Sequence, residues 1–277
     1  MPSVPRIPLG EPQDDGLVIH EVGPWSRDKH HFLRRYVDAF TTAMGKKKQW
    51  SGLHFIDLFA GAGIEKLKGA GLDWGSPLIA ATTRFPFSQL HACELDDENV
   101  RALQLRLNKF VQPSPPFVYA GDANVVVGEL MARVPRTSLN LAFVDPYKLA
   151  NLRFSTLSTL AERRTDIIVF FPDYTDALRN LDIYKGDPTS PLSQYLGTTD
   201  WEPAIEQVSQ ENRGSALVEV FKRQMGTLGY SSFEEERIYR EDTRRLYKLV
   251  FCSKHELGGE IWSRVAKAKP DKQGRLF

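Results

Sequence analysis

The chain has 277 residues, 42% of them hydrophobic, which is enough to bury a sizeable core as one α/β domain or as one domain with an insertion. With 36 Lys and Arg against 35 Asp and Glu, no global basic field announces nucleic acid, so local patches would have to serve that purpose. The two cysteines, Cys93 and Cys252, argue against a disulfide framework or a Cys-rich zinc site; with no secretory signal and no apolar run of membrane-spanning length, the expected location is the cytoplasm.

Residues 1–24 carry Pro2, Pro5, Pro8, Pro12 and Pro24 and few large apolar residues, the composition of a flexible arm. Trp25 opens a helix to about Met44, with Leu33, Tyr36, Val37, Phe40 and Met44 on one face and Gly45 as its stop. Arg34-Arg35 and Lys46-Lys47-Lys48 are either phosphate contacts or a solvated face.

Phe55-Ile-Asp-Leu-Phe-Ala-Gly-Ala-Gly63 then reads as a buried strand running into a tight glycine turn. Glycine fits where backbone must turn sharply and approach a ligand. Asp57 lies inside the apolar run, where an unpaired carboxylate is costly and needs a partner. The dinucleotide fingerprint G-x-G-x-x-G fails here because Lys66 stands at the third position, and no Gly-Lys-Ser/Thr follows to make a P-loop. The next helix start is Ser76-Pro77, so the loop extends from Ala60 to Gly75. The better fit is the nucleoside pocket of a class I S-adenosylmethionine-dependent methyltransferase, with Asp57, Phe59, Gly61 and Gly63 against the methionine end.

Gln89–Glu94 is the second strand, and Glu94 is placed to accept from a ribose hydroxyl pair, while Asp96 caps a helix over 97–109. Phe117–Ala120 is the third strand. Asp122 just beyond it suits the adenine amine, the alternative being an ordinary Gly-Asp turn. Leu139–Val144 is the fourth, ending in Asp145-Pro146-Tyr147. Methyltransferases of exocyclic amines carry an Asp/Asn-Pro-Pro-aromatic motif at this position, in which the acid accepts from the target amine and the aromatic stacks on a flipped base. Here one Pro is missing, and a local turn is the alternative.

Asp166–Phe171 is the fifth strand, and Asp173 and Tyr174 after it are further candidates for the substrate side. Regularity fails over 176–213, which reads as an inserted lid or recognition segment. Ala216–Leu228 is a helix closed by Gly229. Tyr230–Tyr239 and Arg244–Ser253 form an antiparallel pair at the reversed edge of the sheet, and Ile261–Ala268 is a last short helix. The fold expected is therefore α/β and Rossmann-like, a class I methyltransferase fold. It would have a mostly parallel seven-stranded sheet with the last strand antiparallel, an N-terminal helix and an inserted segment, as one domain over 25–269 with a tail over 270–277.

Taken together, Trp25 with Lys29-His30, Ile56-Asp57-Leu58-Phe59-Ala60-Gly61, Gly75-Ser76-Pro77-Leu78, Val144-Asp145-Pro146-Tyr147 and Ser253-Lys254-His255 resemble the three-Cys-motif partner proteins (TcmP) over about residues 25–265. The resemblance implies a methyltransferase-like domain that works with a separate protein carrying a three-cysteine motif. The terminal Gln273-Gly-Arg-Leu-Phe277 resembles the peptide by which bacterial DNA-processing enzymes bind the replication sliding clamp, or is an ordinary chain end.

The expected function is methyl transfer from S-adenosylmethionine to an amino group of DNA or RNA. Asp57, Phe59, Gly61, Gly63, Glu94 and Asp122 would hold the cofactor; Asp145, Pro146 and Tyr147 would orient the acceptor; no metal is called for. A cytosine-C5 mechanism is set aside, since Cys93 and Cys252 fall at the wrong places for a nucleophile. The alternative is a non-catalytic cofactor-binding subunit of a DNA-processing complex.

Overall fold

Leu53–Asp57 is buried at every position, and Leu139–Val144 and Thr165–Phe171 nearly so, as parallel strands covered on both faces must be. The computed structural model describes residues 10–110, 112–172, 176–239 and 245–267. In chain order these form β1 (His20–Val22), α1 (Ser26–Met44), β2 (Leu53–Asp57), β3 (Ile64–Leu67), β4 (Gly71–Trp74) and α2 (Ser76–Ala81). Next come β5 (Gln89–Glu94), α3 (Asp97–Leu107), β6 (Phe117–Ala120), α4 (Ala123–Ala132), β7 (Leu139–Val144), α5 (Phe154–Ala161) and β8 (Thr165–Phe171). The chain continues through α6 (Leu181–Tyr184), α7 (Pro191–Leu196), α8 (Trp201–Glu206), α9 (Arg213–Thr227), β9 (Ser232–Tyr239), β10 (Arg245–Ser253) and α10 (Glu256–Lys267).

The large sheet runs β6-β5-β2-β7-β8-β10-β9. Its strands are parallel except β10, which is antiparallel to both β8 and β9. Alternation divides the core. Ile167, Val169 and Phe171 join the layer with α4, α5, α7 and α9, while Ile168 and Phe170 join the layer with α1, α2, α3 and α10.

The antiparallel pair forms the reversed edge of the sheet as expected, with the last strand β10 inserted between β8 and β9 and Leu249, Val250, Phe251 and Cys252 all buried. The edge falls to β9, whose Glu234, Glu235, Glu236 and Arg237 suit an exposed rim better than an apolar run would. The stretch from Ala60 to Gly75 is not one long loop. It contains the β3–β4 hairpin, which pairs with β1 as a separate three-stranded sheet, so the described part of the N-terminal arm is anchored. Residues 176–213 do not form an irregular lid, because α6, α7 and α8 bury Leu181, Leu192, Tyr195, Leu196 and Trp201 in the core. The polar ends of the two large rings are satisfied: Tyr195 Oη donates to the Phe170 carbonyl at 2.7 Å, and Trp201 Nε1 donates to Ser193 Oγ at 3.0 Å. Among the described residues no helix is long and apolar enough to cross a membrane.

Candidate active site

Adjacent parallel strands bring their C-terminal ends to one rim. In spatial order β6-β5-β2-β7, those ends carry Asp122, Glu94, Asp57 and Asp145. Four acids separated by up to 88 positions in sequence thus stand in a row, at the crevice where open α/β sheets take ligands.

Asp57 is fully buried. Its Oδ1 accepts the Phe59 N–H at 3.2 Å, and its Oδ2 has no partner. Burial pushes its carboxyl up to about 7, against the pull of the Ser76 hydroxyl, the Phe59 N–H and the Lys29 ammonium. The loop that follows needs glycine for two different reasons. Gly61 has φ +60° in open space, whereas at Gly63 (φ +90°) a Cβ would also meet Leu103 at 3.0 Å. Gly61 N–H donates to Glu94 Oε2 at 2.8 Å, so the ribose candidate also holds the loop.

Glu94 Oε1 accepts from the Asp96 N–H at 3.0 Å and from Asn99 Nδ2 at 3.2 Å. Asp96 caps α3 as expected, through the Glu98 and Asn99 amides. Asp122 caps α4: its Oδ1 accepts both the N–H and Nδ2 of Asn124 at 2.8 Å. The residue expected to meet adenine is thus an exposed helix cap. Past Glu94, Leu95 is 68% exposed, an apolar surface beside the same rim.

At the end of β7, Asp145 Oδ2 pairs with Lys29 Nζ at 2.7 Å, across 116 residues of sequence. Burial alone would lower the Lys29 pKa, but Asp145, Glu65 and Asp57 outweigh it and hold the ammonium above its ordinary range. Lys29 also lies 5.9 Å from the centroid of the Phe170 ring. Pro146 is buried, and Tyr147 is 87% exposed with Lys148 Nζ 5.7 Å from its ring centroid. Tyr247 on β10 completes the group. Burial raises its phenol pKa, with Asp145 and Tyr147 adding to the shift.

The strand ends bring Asp57, Phe59, Gly61, Gly63, Glu94, Asp122, Asp145, Pro146 and Tyr147 to this rim; Asp173 and Tyr174 lie outside the described residues. Lys29 and Tyr247 join the rim without a signal in the sequence, and only contacts across the fold reveal them. Burial raises the Cys93 thiol to about 12 and pushes that of Cys252 up as well, so neither is a thiolate nucleophile. One hollow of about 620 Å³ lies between Arg153 and Gly197, and another of about 390 Å³ lies beside Ile64, Trp74 and Arg106.

No family model matches the sequence, and no curated protein matches it. Solved structures do. Over 88% of its length the chain is similar to protein LPL1258 of Legionella pneumophila, of the DUF519 family, covering 91% of that chain at 15% identity with a TM-score of 0.53. The fold is α/β and Rossmann-like, a mostly parallel seven-stranded sheet covered by helices on both faces. An O-methyltransferase from Bacillus cereus in complex with SAH is similar at 11% identity over 86% of this chain and 84% of that one, with a TM-score of 0.49. Trm1 from Pyrococcus horikoshii with S-adenosyl-L-methionine is similar at 12% identity over 86% of this chain and 58% of that one, with a TM-score of 0.47. At these identities the likeness is one of fold.

Proposed function

We propose that the chain is an S-adenosylmethionine-dependent methyltransferase acting on an exocyclic amino group of nucleic acid. The observation that carries this reading is the buried, unpartnered Oδ2 of Asp57 beside the two positive-φ glycines, in the same row as Glu94, Asp122 and Asp145. A buried carboxylate oxygen without a donor is costly unless a ligand completes it. Asp57, Phe59 and the Gly61–Gly63 backbone would hold the methionine end, Glu94 the ribose, and Asp122 with Leu95 the adenine. Bound there, the cofactor supplies an electrophilic methyl group on sulfonium. The chain's own contribution is positioning and electrostatics. Lys29 holds one oxygen of Asp145 by a charge-assisted bond, so the other oxygen would take a hydrogen bond from a target amine while Tyr147 offers an open ring face.

A second reading is a non-catalytic cofactor-binding subunit of a three-Cys-motif protein, and one observation favours it. Lys29 already occupies one oxygen of Asp145, in a motif short of its second Pro. The three-Cys partner, the sliding clamp and the cytoplasmic location belong to this proposal on sequence grounds, and Gln273–Phe277 lies outside the described residues.

Titration with S-adenosylhomocysteine, wild type against Glu94→Ala, tests the pocket. Labelled methyl transfer to DNA and RNA, wild type against Asp145→Ala, tests the reaction. Transfer lost in Asp145→Ala with binding retained supports the enzyme; binding without transfer, even with a three-Cys-motif protein present, supports the subunit.

A further inference from the structure

Asn99 and Arg106 stand seven residues apart on α3, two turns along one face, and both are buried. Each bonds in two directions. Asn99 Oδ1 accepts from His20 Nε2 at 2.7 Å, while Asn99 Nδ2 donates to Glu94 Oε1 at 3.2 Å. Arg106 donates through Nε and Nη2 to the two oxygens of Asp15, at 3.1 and 2.6 Å. Its Nη1 donates to the Val18 carbonyl at 3.0 Å and to the Ala62 carbonyl at 2.7 Å. One side of each residue grips the segment 15–22, and the other grips a rim element, either Glu94 or the glycine loop. The same segment ends in β1, which pairs with β3 directly after that loop.

We propose that residues 15–22 form a strap that sets the glycine loop, with Arg106 and Asn99 as its positioning residues, so that nucleoside affinity depends on side chains that never touch the ligand. The ligand in this statement rests on the function proposed above. Ala62 lies between Gly61 and Gly63, two residues whose backbone freedom must be restrained for the loop to keep one shape. A buried guanidinium on the Ala62 carbonyl supplies that restraint, but it needs a counter-charge, and Asp15 is that charge. The bond from Arg106 holds the Asp15 carboxyl well below the ordinary carboxylate range. A buried arginine that only stabilised the fold would have no need to divide its donors between the strap and a positive-φ loop. Asn99 repeats the division two turns earlier.

The test compares wild type, Asp15→Asn, His20→Ala and His20→Gln in the full chain, measuring amide hydrogen exchange over Gly61–Gly63 and Kd for S-adenosylhomocysteine. Losing the charge opposite a buried guanidinium is expected to lower loop protection and ligand affinity by about tenfold in Asp15→Asn, with β7 and β8 amides unchanged. His20 is exposed, so His20→Ala leaves folding intact; its expected weaker binding is restored in His20→Gln, which keeps a donor for Asn99. Binding at the wild-type level in both Asp15→Asn and His20→Ala, or core amides that loosen along with the loop, overturns the proposal. A wild-type chain that binds no S-adenosylhomocysteine refutes the cofactor reading instead, while the exchange comparison still decides whether the strap orders the loop.

Discussion

Burial pushes the Asp57 carboxyl up to about 7, and its Oδ2 has no partner in the protein, so near neutrality the ligand-free chain divides between acid and carboxylate. A ligand that brings an ammonium or sulfonium to that oxygen selects the carboxylate. Between pH 6 and pH 8 the ionised fraction rises from about 0.09 to about 0.91, so Kd for S-adenosylhomocysteine should fall about tenfold, with about half a proton released per ligand at pH 7. Calorimetry in two buffers of different ionisation enthalpy measures both quantities. The ligand's amino group also titrates, so the reference is Asp57→Asn, in which only the ligand contributes. Asp166, also raised by burial, to about 6, lies at the opposite end of β8 and is common to both proteins. The sign on stability is the reverse of the usual paired carboxylate. With its folded pKa above the unfolded value, Asp57 costs the ligand-free fold increasingly as pH rises from about 4 to about 7, so Asp57→Asn should melt higher at pH 8. A wild-type affinity that tracks Asp57→Asn across pH 6 to 8 would refute the reasoning.

The same midpoint responds to its neighbours in opposite directions: Lys29→Met removes a cation that lowers the Asp57 pKa and should move the binding midpoint above 7, while Asp145→Asn removes an anion that raises it and should move the midpoint below 7. The buried His54–His91 pair, 3.1 Å apart, is held neutral by burial, with the two residues lowered to about 4 and about 3. Depressed histidine values mean that stability is full above pH 6.5 and is lost as pH falls toward 4; His91→Phe should move the acid-unfolding midpoint, followed by circular dichroism, to lower pH. Trp201→Ala should cost about 3–5 kcal/mol in urea unfolding, because Trp201 is part of the core, whereas a mobile lid would give almost no loss.

Much of the architecture is legible because it is local. An apolar run that ends in an acid and a turn marks both a buried parallel strand and the rim where it stops, so Asp57, Glu94, Asp122 and Asp145 all come to one edge. Local propensity is overridden in α4, where the β-branched run Val125-Val126-Val127 lies in the helix that crosses between β6 and β7. The segment 176–213 looks irregular in one dimension, because its helices are short and its large rings find partners only on other elements.

By itself the sequence determined the class of fold, the strands of the large sheet and the acids that close four of them, since period, length and turn chemistry lie within a few neighbouring residues. Tertiary structure alone decided that β10 lies inside the sheet, that Lys29 neutralises Asp145 across 116 positions, and that Arg106 joins Asp15 to the glycine loop across 91. The reason is physical: such pairs form from the order in which strands assemble and from the low dielectric that makes a buried charge seek its partner, and no local pattern records either.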